Sequence, residues 1–207
     1  MGITILKHNY DETDFKAALQ IAFEHDNTVL IEKFIPGREF RIFIINDEVV
    51  GILHRVPANV TGDGVLNIGQ LIDMKNEDPL RGKGYRTPLE KIRKRREEEM
   101  FLKQQGMDFN TVPKEREVVY LRENSNISTG GDSIDFTDDI DDSYKAIAVE
   151  AAKALNVKIT GLDMMIQDIH APATPDNYAI IEMNFNPAIH IHCYPFKGKN
   201  LSLIHIS

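Results

Sequence analysis

Apolar residues in "DETDFKAALQIAFEHD" (11–26) recur at helical spacing, with Phe15, Leu19 and Ala22 behind an acidic cap-like cluster, so the segment predicts an amphipathic helix. "TVLIEKFI" predicts a buried strand and Pro36-Gly37 a turn. "EFRIFIINDEVVGILHRV" predicts two antiparallel strands joined around Asn46-Asp47. From Pro57 to Pro88 glycines and prolines thicken, which predicts loop with a short helix near "NIGQLIDMK". The basic-then-acidic block "KIRKRREEEM", within residues 89–105, predicts a solvated helix face. "EVVYLR" predicts a strand, "ENSNISTGGDS" a polar loop, and "DDSYKAIAVEAAKALN" a helix with Tyr144, Ile147, Ala148, Ala151, Ala152 and Leu155 on one face. Two strands, "KITGLDMMI" and "NYAIIEMNF", finish the pattern, joined by the proline-marked loop "QDIHAPATPD". The order of elements predicts an α+β fold, with no internal repeat.

Composition narrows the partners. The 207 residues are 42% hydrophobic and 27% charged, the balance of an ordinary globular protein. A formal charge of −8 argues against nucleic acid, which selects basic surfaces. Cys193 is the single cysteine, so no internal disulfide framework exists and a reducing compartment is expected. No apolar run has the length of a membrane span and the N-terminus has no signal-peptide pattern, so the expected location is cytoplasmic.

Candidate chemistry lies in the last two strands. Glu182 and Asn184, at i and i+2, project from the same face, and Asp163 stands between Leu162 and Met164 on the preceding strand. Three oxygen donors converging across neighbouring strands suit a hard cation such as Mg²⁺ better than zinc. The alternative is a sheet edge at which the acids meet solvent. "HIHC" (190–193) lacks the separated ligand pairs of structural zinc sites.

At these residues a resemblance enters. "GLDMMI" followed by "IIEMNFNP" resembles the metal-binding end of the ATP-grasp ligases, and "VLIEKFIPGREFRIFI" is similar to their hinge segment. "HRVPANVTGDG", "NEDPLRGKGYRTPLEKI" and "YLRENSNISTGGDSIDFTDDI" resemble the ATP-grasp half of the bacterial bifunctional glutamate-cysteine ligase/glutathione synthetases. Cyanophycin synthetase shares similar "RVPA", "GDG" and "STGG" segments and is the nearest competitor. The resemblance implies an ATP-grasp fold, mainly its C-terminal subdomain, with a mostly antiparallel sheet and flanking helices. Residues 1–31 would be a remnant of the small ATP-binding lobe, 32–200 the C-terminal lobe with hinge and metal site, and 201–207 a tail outside the family.

The implied activity joins γ-glutamylcysteine to glycine through an acyl phosphate, using ATP with Mg²⁺ or Mn²⁺. The alternatives are another amino-acid ligase or a nucleotide-binding remnant without activity. By resemblance Glu32, Lys33, Phe34 and Ile35 flank adenine and Glu39 binds ribose, which suits an acceptor-only carboxylate. Arg41, Arg55 and Arg122 would face the transferred phosphate and the reacting carboxylate, for which the guanidinium fork is suited. Asn124, Asn126, Gly130 and Gly131 would line the substrate, and Asp163, Glu182 and Asn184 would hold the metal. The family's phosphate-binding lysines would precede "MGITILKH", so a chain without them is expected to turn over poorly alone. Partners would be small molecules, with no nucleic acid or membrane, and a homodimer is compatible with a longer parent protein.

Overall fold

The computed structural model describes residues 11–33, 35–84 and 86–201. The chain divides into two units, Met1–Pro36 and Gly37–Ser207. In the first, helix α1 (Glu12–Phe23) starts where the Asp11 carboxylate accepts the N–H groups of Thr13 and Asp14, while Asp14 accepts the N–H of Asp11. This reciprocal cap satisfies otherwise orphaned donors, and Phe15, Leu19 and Ala22 form the half-buried stripe that their spacing predicts. The expected strand over "TVLIEKFI" does not form. Its described residues lack ladder pairing, and Leu30 and Ile31 are 79% and 63% exposed. An apolar run becomes a strand only where a second strand accepts its backbone groups, and none does so among the described residues.

The second unit is built on a five-stranded sheet: β1 (Arg38–Ile45), β2 (Glu48–Val56), β7 (Asp132–Asp135), β8 (Ile159–Ile166) and β9 (Tyr178–Asn184), in the order β7-β2-β1-β8-β9 and antiparallel throughout. Asn46 and Asp47, at φ 49° and 68°, make the mirror-image turn that matches the twist of a tight hairpin. Even-numbered β1 residues Phe40, Ile42 and Ile44 join Ile52, Leu162, Met164 and Ile166 against Tyr144, Ala148 and Ala152 of helix α4 (Asp142–Ala154). The N–H of Val157 donates to Ala152 O at 3.1 Å and that of Asn156 to Lys153 O at 2.9 Å, with Asn156 left-handed at φ 52°. This Schellman cap ends α4 one residue before Leu155, which is therefore 62% exposed instead of continuing the apolar face.

A second core gathers Ala58, Val60, Ile68, Leu71, Ile72, Ile92, Leu102, Val119 and Leu121. It is formed by β3 (Asn59–Thr61), α2 (Ile68–Lys75), α3 (Arg96–Gln104), β6 (Val118–Tyr120) and connecting residues, while β4 (Arg81–Gly82) and β5 (Leu89–Glu90) make a short parallel pair between α2 and α3 in the chain. The charge block departs from the expected helix. Asn76 clamps Ile92, accepting its N–H at 2.8 Å and donating to its O at 2.9 Å, and α3 starts only at Arg96. Within α3, Glu98 is wholly buried, accepting the Arg95 N–H and facing Arg122.

Asp132, at the start of β7, joins the sheet to the second core. Its carboxylate accepts from Arg81 Nη2, from Lys75 Nζ at 2.6 Å and from Asn59 Nδ2 at 3.1 Å. Burial lowers the Lys75 pKa, and the charge of Asp132 opposes that shift.

Candidate active site

The sheet has two faces, and the odd-numbered β1 residues Glu39, Arg41 and Phe43 point away from α4. Pairing of β1 with β8 places Arg41 opposite Asp163, and pairing of β8 with β9 places Asp163 opposite Glu182 and Gly161 opposite Asn184. Arg41 donates to Asp163 through Nε and, at 2.8 Å, through Nη2, a fork on a buried carboxylate. Arg55 of β2 donates to the same carboxylate at 3.1 Å and pairs with Glu39. Glu39 in turn accepts a hydrogen bond from Ser125 Oγ at 2.6 Å. Burial raises the Asp163 pKa, but the Arg41 hydrogen bonds, the charges of Arg55 and Arg41 and a hydrogen bond with Glu182 outweigh it, so the net shift is downward.

On the edge strand, Glu182 is exposed, and its Oε1 accepts from Asn184 Nδ2 at 2.9 Å. The structure thus brings Asp163, Glu182 and Asn184 together, along with Arg41 and Arg55. The sheet-edge alternative describes Glu182 alone, because Asp163 is buried under two guanidinium groups. The donors are all oxygens, as a hard divalent cation requires, and Glu182 opens the set to solvent. Among the described residues no three His, Cys, Asp or Glu side chains converge as a metal-binding group, so the set depends on the amide of Asn184.

No family model matches the chain. It is 62% identical over 203 residues to the bifunctional glutathione biosynthesis protein GshAB of Desulfotalea psychrophila, covering 98% of this chain and 26% of that protein. Identity to the protein of the same name from Clostridium perfringens is 57% over 200 residues, covering 97% of this chain and 26% of the relative. The crystal structure of a bifunctional glutathione synthetase from Pasteurella multocida superposes with a TM-score of 0.80 at 46% identity, covering 96% of this chain and 28% of that one. The chain is related to that family and shares its ATP-grasp fold. It spans about a quarter of the length of these relatives.

Other expected residues of this ATP-grasp segment lie elsewhere. Arg122 does not reach the Asp163 group: its Nε donates to Glu98 at 2.5 Å, and Glu97 lies 4.0 Å from Nη2. The buried acid on α3 is a nearer and less hydrated partner than the open face of the sheet. Asn124 and Asn126 shape a turn, with Thr129 Oγ1 donating to Asn124 Oδ1 at 3.2 Å and to Asn126 O at 2.9 Å. Gly130 is left-handed at φ 94°, and a Cβ there would lie 2.7 Å from Ile92 Cα, while one on Gly131 would lie 2.8 Å from Val56 O. Both glycines therefore already have a structural reason, the close approach of neighbouring chain. In the first unit Glu32 and Lys33 are exposed and Ile35 is half-buried, and Phe34 lies outside the described residues.

Three contributors are absent from the sequence reading. Ser125 bridges to Glu39, and Glu98 holds Arg122. Gly161 makes room for Arg41, since a Cβ there would sit 2.9 Å from Arg41 Cδ and 2.8 Å from Pro187 Cβ. A glycine inside an apolar strand signals such close approach, and "TGLDMM" carried that signal.

Proposed function

We propose that the chain carries the glutathione synthetase chemistry of the family, ATP-dependent joining of γ-glutamylcysteine to glycine. The observation that carries this reading is the meeting of Arg41, Arg55, Asp163, Glu182 and Asn184 on one face of an ATP-grasp sheet. The substrate carboxylate attacks the γ-phosphate of ATP, forming an acyl phosphate and ADP; the glycine amine then attacks the acyl carbon and phosphate leaves. Arg41 and Arg55 are the cations that face the transferred phosphoryl charge, held in place by Asp163. Asp163, Glu182 and Asn184 would hold Mg²⁺ or Mn²⁺, which when bound neutralises phosphate charge. By resemblance Glu39 would take the ribose diol and the turn from Asn124 to Gly131 the acid substrate.

Incubation with γ-glutamylcysteine, glycine and MgATP, followed by mass spectrometry, tests the reaction: slow formation of glutathione that requires all three is expected, and ligation only of aspartate-containing peptides to arginine would overturn the substrate assignment. Calorimetry tests the metal ligands independently. Glu182→Gln should weaken MgADP binding at least about tenfold, and unchanged affinity would remove Glu182 from the site.

A further inference from the structure

The basic stretch that the proposed reaction leaves unused lines a cleft of its own. Lys91–Arg95 is not part of α3, and together with Lys83, Gly84, Asp73, Asn76, Glu77 and Glu90 it lines a space of about 620 Å³. This is the size of a small-molecule site, within the roughly 300–1,000 Å³ such sites occupy. Its rim is held in place: both backbone groups of Ile92 are bound by Asn76, and the Ile92 side chain is buried in the second core. Charged side chains on either side of Ile92 are therefore presented from a fixed backbone.

The charge balance of the cleft reverses that of the molecule. Lys94 pairs with Asp73 at 2.7 Å, which cancels one cation against one acid. Lys83, Lys91, Arg93 and Arg95 remain, with no ion-pair partner among the described residues, against Glu77 and Glu90. Four cations facing two acids, in a chain of net charge −8, favour an anion at this point on the surface. The acids of the cleft, Asp73, Glu77 and Glu90, would meet a nucleic-acid backbone laid along it, so a compact ligand fits better than a polymer.

We propose that this cleft binds a small anion bearing two or more negative charges, a polyphosphate or a polycarboxylate, with Arg93 and Arg95 as principal ligands and Lys83 and Lys91 in support. Guanidinium forks accept either oxyanion in bidentate geometry. The floor of the cleft is also the wall of the glycine turn, because Ile92 lies directly against Gly130. Occupancy would thus be felt at Gly130 and Gly131. This proposal does not depend on the ligase reading.

Titration of the full chain with inorganic pyrophosphate and, separately, with citrate, followed by calorimetry and by amide resonances of Gly84, Ile92 and Gly130, tests it. Expected is saturable binding of at least one probe, weakening as ionic strength rises, with the three amides shifting together. Binding of one probe alone names the oxyanion class. The Arg93→Ala, Arg95→Ala double variant should bind at least about tenfold more weakly. Arg93→Gln with Arg95→Gln gives the same comparison should the alanine pair lower the melting temperature. Failure of both probes to saturate, or equal affinity in the double variants, would overturn the proposal.

Discussion

His192 sits in the protein interior with neither ring nitrogen hydrogen-bonded among the described residues. Its ring packs on Phe43 with centroids 5.2 Å apart, and its Nδ1 lies 3.1 Å from where a Cβ on Gly51 would be. Burial, reinforced by the charge of Arg41, lowers its pKa to about 3. The unfolded chain takes up a proton near pH 6.5 that the folded chain refuses until about pH 3, so stability rises with pH across that window and is lost as pH falls through it. This one residue should remove about 2 kcal/mol of stability by pH 5. Urea unfolding of His192→Leu at pH 7 and pH 5 should show a correspondingly smaller pH dependence than the parent, and identical dependence in both would mean that the ring is protonated or hydrated in the folded state. Asp163 adds in the same direction at lower pH. Its lowered folded pKa gives stability that is present above the unfolded carboxylate pKa near 4 and is lost as pH falls through the folded value.

The hairpin shows how an element takes its shape from two residues. Asp47 holds φ 68°, a conformation that costs a non-glycine residue roughly 1 kcal/mol. Asp47→Gly should therefore stabilise the protein by about 0.5–1 kcal/mol, and Asp47→Val should destabilise it, both read from denaturant midpoints. This hairpin was legible in the sequence because its code is local: two apolar, β-branched runs on either side of the turn pair Asn46-Asp47. Helix α4 was legible through its caps and apolar face, and the strands β8 and β9 as short apolar runs separated by a proline-marked loop. The segment 28–35 was misread because its apolar pattern says nothing of whether a partner strand is present. The Asp163, Glu182 and Asn184 group was foreshadowed by strand parity. The two arginines that grip Asp163 were named by resemblance, but their contact depends on β1 meeting β8, a register that no local pattern encodes. Glu98 was hidden in a run of three glutamates that reads as uniformly solvated, although only its neighbours are exposed.

Across the molecule, the buried carboxylate of Asp132 ties the two cores together. Asp132→Ala would leave Lys75 and Arg81 buried beside each other without their counter-charge, costing about 3–5 kcal/mol. Thermal unfolding should show that loss, and Lys75→Met, which leaves Asp132 and Arg81 still paired, should cost less. A loss under about 1 kcal/mol for Asp132→Ala would mean that water enters to hydrate the two cations. The sheet itself has a consequence for how the chain is made. Arg41 and Asp163 are 122 residues apart, so the central strand β1 acquires one of its two neighbours only after more than a hundred further residues have been made. At about 5–20 residues per second, a ribosome would expose the Phe40, Ile42 and Ile44 side of the nascent hairpin, and one unpaired edge of it, for roughly 5–21 s between the end of β2 and the start of β8. During that interval the β1–β2 ribbon is a substrate for holding chaperones, and for pairing with another nascent copy on the same polysome.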